Sequence, residues 1–141
     1  MTRFQLRVGI ALMMFYWIGQ TARAQNDCGF SNYRFGQISD WLDGAVIHKV
    51  TPEYPAKHKP NGVAGTIRIR VLVDKQGRVV RTCPLYVPGE PKPDPVLVAA
   101  AQAAARKWRF QPNFGQPPNV RFRKFNYVRD VIVFRFDPPK G

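Results

Sequence analysis

Residues 65–73 (GTIRIRVLV) alternate without a break, with Ile67, Ile69, Val71 and Val73 on one side and Thr66, Arg68, Arg70 and Leu72 on the other. Period-two alternation rich in β-branched residues predicts a strand with one buried and one wet face. Asp74-Lys75-Gln76-Gly77 then supplies a turn, because Gly77 is free to take positive φ. A second strand is expected over 78–85, with Val79, Val80 and Cys83 as packing candidates and Pro84 marking its end or an edge position. The two strands make a hairpin. Alternation returns over 126–136, where Val128, Ile132, Phe134 and Phe136 oppose Tyr127, Arg129, Val131, Val133 and Arg135, and Asp130 interrupts the apolar set. Between these stretches the period changes to that of a helix. Asp94-Pro95 pairs an N-cap acceptor with proline at the first helical position. The alanine-rich run 95–107 follows, with Leu97, Ala101, Ala104 and Trp108 on one stripe and Arg106 and Lys107 at the end where cations favour the helix dipole. Strand, strand, helix, strand predicts an α+β unit: a small antiparallel sheet with one helix packed on one face.

The rest is less regular. Residues 27–40 are polar and are expected to run over the surface until Cys28 pins them, while Trp41, Leu42, Val46 and Ile47 are apolar enough to pack. Pro52-Glu53-Tyr54-Pro55 is extended, since a residue before proline is pushed out of the helical region. Residues 56–62 form a basic approach that begins with a short helix, and 87–95 form a proline-rich loop. A basic and aromatic stretch, 120–125, precedes the last strand.

Residues 1–24 carry the marks of a cleavable secretory signal. Arg3 and Arg7 precede an apolar run over 8–19, and Ala22-Arg23-Ala24 places small residues at −3 and −1. The competing reading is an uncleaved anchor, but the run is shorter than the roughly 17–25 residues a spanning helix needs. The chain of 141 residues thus divides into a signal (1–24), an N-terminal segment (25–50), one domain (51–137) and a tail (138–141), exported to the periplasm. Export bears on the two cysteines, Cys28 and Cys83. An oxidising compartment favours a disulfide between them over two free thiols. Metal binding is the third reading, and neither cysteine has C-x-x-C spacing nor do His48 and His58 supply a histidine pair at ligand spacing.

The net charge is +13, from 22 Lys+Arg against 9 Asp+Glu. Such an excess sets what the surface attracts and says nothing about the fold. Arg68 and Arg70 on one strand, with Arg121, Arg123 and Lys124 interleaved with Phe122 and Phe125, resemble a polyanion platform. Export argues against nucleic acid, so the matching partner is cell-wall polymer: peptidoglycan or lipopolysaccharide phosphate. The plainer reading is that these cations keep a sheet edge soluble. Catalysis finds little support. Past residue 24 the only serines are Ser31 and Ser39, both in the irregular N-terminal segment, so a triad with His48 or His58 is not expected. Asp40 with Asp43 and Glu90 with Asp94 carry no mark of an acid/base pair, and no glycine loop cradles phosphate. No enzyme activity, cofactor or metal is expected.

The Tyr54-Pro55 motif, Gly65 opening a long alternating strand, the turn Asp74-Lys75-Gln76-Gly77-Arg78-Val79, and the alanine helix ending in Lys107-Trp108-Arg109-Phe110-Gln111-Pro112 occur in that order before the closing Phe134-Arg135-Phe136. In these features the chain resembles the C-terminal domain of TonB-type proteins over 51–136. The resemblance implies a periplasmic domain that binds a peptide of an outer-membrane transport receptor, or another periplasmic protein, by strand addition. An exposed edge offers unpaired N–H and C=O groups and so makes little demand on sequence. It points to Glu53, Tyr54 and Pro55, and to the last strand at Tyr127, Arg129, Val131, Val133 and Arg135. A homodimer through a sheet edge is the alternative use of the same groups. A full energy transducer of this family has an uncleaved membrane helix and a proline-rich spacer; neither is expected here, where the first proline is Pro52, so the reading is of a stand-alone relative.

Overall fold

The computed structural model describes residues 27–37, 41–115 and 125–140. The signal expected over 1–24, Ser39 and Asp40, and the basic residues Arg121, Arg123 and Lys124 lie outside the described residues. In chain order the elements are β1 (Phe35–Gln37), α1 (Trp41–Ala45), β2 (Val46–His48), β3 (Gly65–Asp74), β4 (Val79–Pro84), α2 (Pro95–Lys107), β5 (Arg109–Phe110) and β6 (Tyr127–Phe136). Short 3-10 turns lie at Phe30–Asn32, Ala56–His58 and Pro112–Gly115.

The two longest strands are those whose alternation is strongest. β3 and β6 pair antiparallel along their whole length, from Gly65↔Phe136 to Asp74↔Tyr127, and β4 folds back on β3. The hairpin is tied by its own first residue. Asp74 is buried, and its carboxylate accepts the N–H groups of Gln76 and Arg78 at 3.0 and 2.9 Å and the Arg78 Nε–H at 2.9 Å. Gly77, at φ 78°, closes the turn by donating to the Asp74 carbonyl at 2.9 Å.

α2 spans the residues expected of it. The Asp94 carboxylate caps it by accepting from the N–H groups of Val96 and Leu97, which satisfies donors that have no partner inside the helix. Leu97, Ala101, Ala104 and Ala105 are buried against Ile67, Ile69, Val71 and Val73 of β3 and Val128, Ile132, Phe134 and Phe136 of β6. Small alanines let the helix lie close to the sheet, so this one layer contact forms the main core.

Several features depart from the sequence reading. The four-stranded sheet has the order β1-β6-β3-β4, and β1 joins it parallel to β6, so the sheet is antiparallel only in its three long strands. β2 and β5 form a separate two-stranded sheet. The face expected to be wet is dry at one end: Leu72 is 0% exposed there, packed with Phe30 and Cys83 and flanked by Tyr33 and Tyr127. The segment expected to run over the surface therefore contributes Phe30, itself 0% exposed. The Cys28–Cys83 disulfide holds it in place. Conversely, Ile47 and Val80, read as packing residues, are exposed; Val80 falls where the β3–β4 register shifts, between the pairs Leu72↔Arg81 and Val73↔Val79.

Candidate functional site

Backbone direction along the sheet identifies its open edge. The Leu85 N–H donates to the Arg68 carbonyl at 2.9 Å, so even-numbered residues of β3 direct their backbone groups towards β4 and odd-numbered residues towards β6. The register Ile67↔Phe134 and Ile69↔Ile132 then turns the even-numbered residues of β6 to β3. Its odd-numbered residues, Tyr127, Arg129, Val131, Val133 and Arg135, present N–H and C=O groups to the outer side. β1 occupies that side opposite Tyr127, Val128 and Arg129. Beyond it, among the described residues, no strand pairs with 131–135. Among the described residues the edge is therefore open over its second half, and it is already occupied by the chain itself over its first three residues.

A groove of about 260 Å³ lies against this open half, lined by Leu42, Asp43, Lys49, Trp108, Phe110, Asp130, Val131, Ile132 and Val133. Its apolar wall is fixed from several directions. Leu42 and Phe110 are buried core residues. The Trp108 ring packs edge-on against Phe134 at 5.8 Å and obliquely against Phe110 at 6.2 Å. The Trp108 Nε1–H donates to the Val50 carbonyl at 2.9 Å, and the Lys49 ammonium stands 5.5 Å from the centre of the ring. The side chains of Val131 and Val133 are 38% and 58% exposed. At the start of the open half, the Asp130 carboxylate accepts the Val131 N–H at 2.7 Å.

The other predicted site residues fall elsewhere. Tyr54 is half-buried against the core, and its hydroxyl donates to the Val63 carbonyl at 2.8 Å, staking the loop before β3. Glu53 is exposed and Pro55 half-buried; neither they nor Tyr54 line the groove. Arg135 is exposed at the far end of the edge. Of the polyanion candidates, Arg68 donates to Glu90 at 2.7 Å beside a second concavity, of about 340 Å³, formed with the proline-rich loop. The Arg70 guanidinium lies 5.9 Å from the centre of the Phe30 ring. Both cations are thus engaged within the molecule.

His58 and Asp94, 36 positions apart, meet at 2.8 Å between Nε2 and Oδ1. The hydrogen bond from His58, and after it those from the Leu97 and Val96 N–H groups, hold the Asp94 carboxyl below its ordinary value against the opposing effect of burial. The carboxylate is spent on capping α2 and on joining the 56–58 turn to it. Among the described residues no group of three or more His, Cys, Asp or Glu side chains is placed to hold a metal ion. Sequence reasoning placed Trp108 on the apolar stripe of the helix and did not connect it, Phe110, Leu42 or Lys49 with the edge. The Trp108-Arg109-Phe110 run directly after the helix was the available signal.

Residues 50–128 match the family model described as the Gram-negative bacterial TonB protein C-terminal. Among solved structures, the solution NMR structure of the Pseudomonas aeruginosa TonB CTD is similar at 20% identity, covering 68% of this chain and 87% of that one, with a TM-score of 0.49. The TonB2 protein from Vibrio anguillarum is also 20% identical, covering 76% of this chain and 92% of that one, with a TM-score of 0.47. No curated protein matches this chain.

Proposed function

Because the chain belongs to the family of Gram-negative bacterial TonB C-terminal domains, we propose that it works in the periplasm, docking a short extended peptide of an outer-membrane transport receptor by strand addition to β6. The observation that carries this reading is that, among the described residues, no strand pairs with the outer side of 131–135, which lies against the apolar groove. A guest strand there bonds to the outward C=O of Val131 and to the outward N–H and C=O groups of Val133 and Arg135, the Val131 N–H being held by Asp130. By alternation it turns every second side chain towards Leu42, Phe110 and Trp108. Main-chain bonding supplies the affinity, and the groove supplies what selectivity there is. The domain acts by binding and performs no catalysis.

Replacing Val133 by proline tests this. At an edge, proline removes the outward N–H while leaving the bonds to β3, which run through even-numbered residues, in place. Titration with peptides from the periplasmic ends of outer-membrane receptors, followed by Trp108 fluorescence, should give saturable binding for the parent chain. The Val133→Pro chain should bind at least about tenfold more weakly, the cost of roughly one main-chain hydrogen bond. Equal binding by both would overturn the strand-addition reading. Binding that instead collapses between low and moderate salt would point to a polyanionic ligand.

A further inference from the structure

We infer that Asp130 determines which strands this edge accepts: it admits a short guest and refuses a second copy of the chain. This inference rests on the open edge itself and holds whether or not the guest is a receptor segment.

A carboxylate at position 130 breaks the pattern of its strand. Val128, Ile132, Phe134 and Phe136, on the same face, are all buried. Asp130 itself is half-exposed beside the groove, and a charge carried by an edge strand is a recognised guard against pairing between sheets. Here the charge also spends itself on the edge, because the Asp130 carboxylate takes the N–H of Val131, the first outward donor beyond the stretch held by β1. Outside pairing is thus hemmed in from one end by two successive devices of the same chain.

The consequences differ for a guest and for a copy. Two copies joined through this edge about a two-fold axis would pair antiparallel, with Val133 opposite its own equivalent. Val131 would then lie opposite the copy's Arg135 and Asp130 opposite its Phe136. A symmetric interface repeats every defect. Both Val131 donors are already taken, and both half-exposed carboxylates are covered by the second strand. Pairing could not be lengthened to compensate, since β1 blocks 127–129 in each copy. A separate guest meets the defect once, and can begin its pairing at the Val131 carbonyl, leaving the Asp130–Val131 bond intact.

The test is the oligomeric state of the full chain after signal removal, measured by sedimentation velocity over a concentration series. The parent chain should remain monomeric, while Asp130→Val, which restores the apolar pattern and frees the Val131 N–H, should dimerise at least about tenfold more tightly. Asp130→Asn, whose amide oxygen still accepts from Val131 but carries no charge, should fall between them. Cysteine at position 133 should crosslink to its equivalent in the Asp130→Val dimer and not in the parent. A parent chain that already dimerises through position 133 would overturn the inference. So would folded Asp130→Val and Asp130→Asn chains as monomeric as the parent. Loss of receptor-peptide binding would leave these outcomes unchanged, so the two readings fail separately.

Discussion

Gly77 and Phe110 touch backbone to backbone: the Phe110 N–H donates to the Gly77 carbonyl at 2.9 Å, and a Cβ on Gly77 would lie 2.7 Å from the Phe110 carbonyl carbon. The hairpin turn and the strand leaving the helix are thereby one unit. Arg78 bridges to Arg109 beside this contact, the Asn113 N–H donates to the Lys75 carbonyl at 2.7 Å, and Phe110 in turn pairs with Val46. Two motifs more than 30 positions apart in the sequence thus fix the wall of the groove together.

Gly77→Ala should therefore be costly twice. Its φ of 78° strains any residue with a Cβ, and the new methyl group would meet backbone that cannot swing away. Destabilisation of at least about 2 kcal/mol is expected, more than the conformational penalty alone, and urea denaturation measures it. Because the displaced group is Phe110, the substituted chain should also lose quenching or shift in the emission of its neighbour Trp108. An alanine chain as stable as the parent would show that the turn and β5 move independently.

Replacing Cys28 and Cys83 together by serine should lower stability by about 4 kcal/mol, the chain-entropy value for a closed loop of this length. The loss should be local before it is global. Amide exchange should rise first at Phe30 and Tyr33, and then at Leu72, as the small second core opens. Strand pairing between β3 and β6 should persist under native conditions. Uniform exchange across the sheet would contradict this order.

These contacts also mark what the sequence could reveal. β3, β4, β6 and α2 were legible because each carries its own periodicity, and α2 its cap and proline. Alternation set Val131 and Val133 opposite the apolar face, and the resemblance to the TonB C-terminal domain implied that their strand lies at an edge. β1, β2 and β5 have two or three residues each, too few for any period, and exist because long-range partners hold them. Phe30 was hidden for the same reason: its neighbours are polar, and its burial depends on a disulfide to a strand 55 positions away. The groove was hidden because Leu42, Trp108 and Phe110 are core residues in composition, and only the gap beside 131–135 turns their flank into a wall. Nothing local to Asp94 announced His58.

The Asp94 carboxyl is held below its ordinary value of 3.8, foremost by His58. Folding thus favours the ionised form. That contribution is complete above the unfolded-state value and is lost as pH falls through the lower folded one. Asp94→Ala should be less stable than the parent at neutral pH, and the gap should narrow steadily once pH drops below about 4. Thermal unfolding across an acid series measures it. A gap that stays constant to low pH would mean that the carboxylate contributes nothing through its charge.

Trp108 joins the helix exit to the extended segment that precedes the Tyr54-Pro55 motif. Its Nε1–H reaches the Val50 carbonyl, and its ring carries Lys49 on one side and Phe134 on another. Trp108→Phe keeps an aromatic ring in place but removes the donor, leaving a half-buried carbonyl without its protein partner, and it weakens the attraction for the Lys49 ammonium. A loss of about 1–2 kcal/mol is expected. The more telling result is positional. With the tie cut, the 49–51 segment should exchange its amides faster, while α2 and the β3–β6 ladder keep the protection they have in the parent. Since Lys49 and Trp108 both line the groove, peptide docking should weaken by more than the stability change accounts for under conditions where the chain is fully folded. If docking is unaltered while the segment loosens, the groove's occupant makes no use of this wall, and the edge of β6 alone supports the guest.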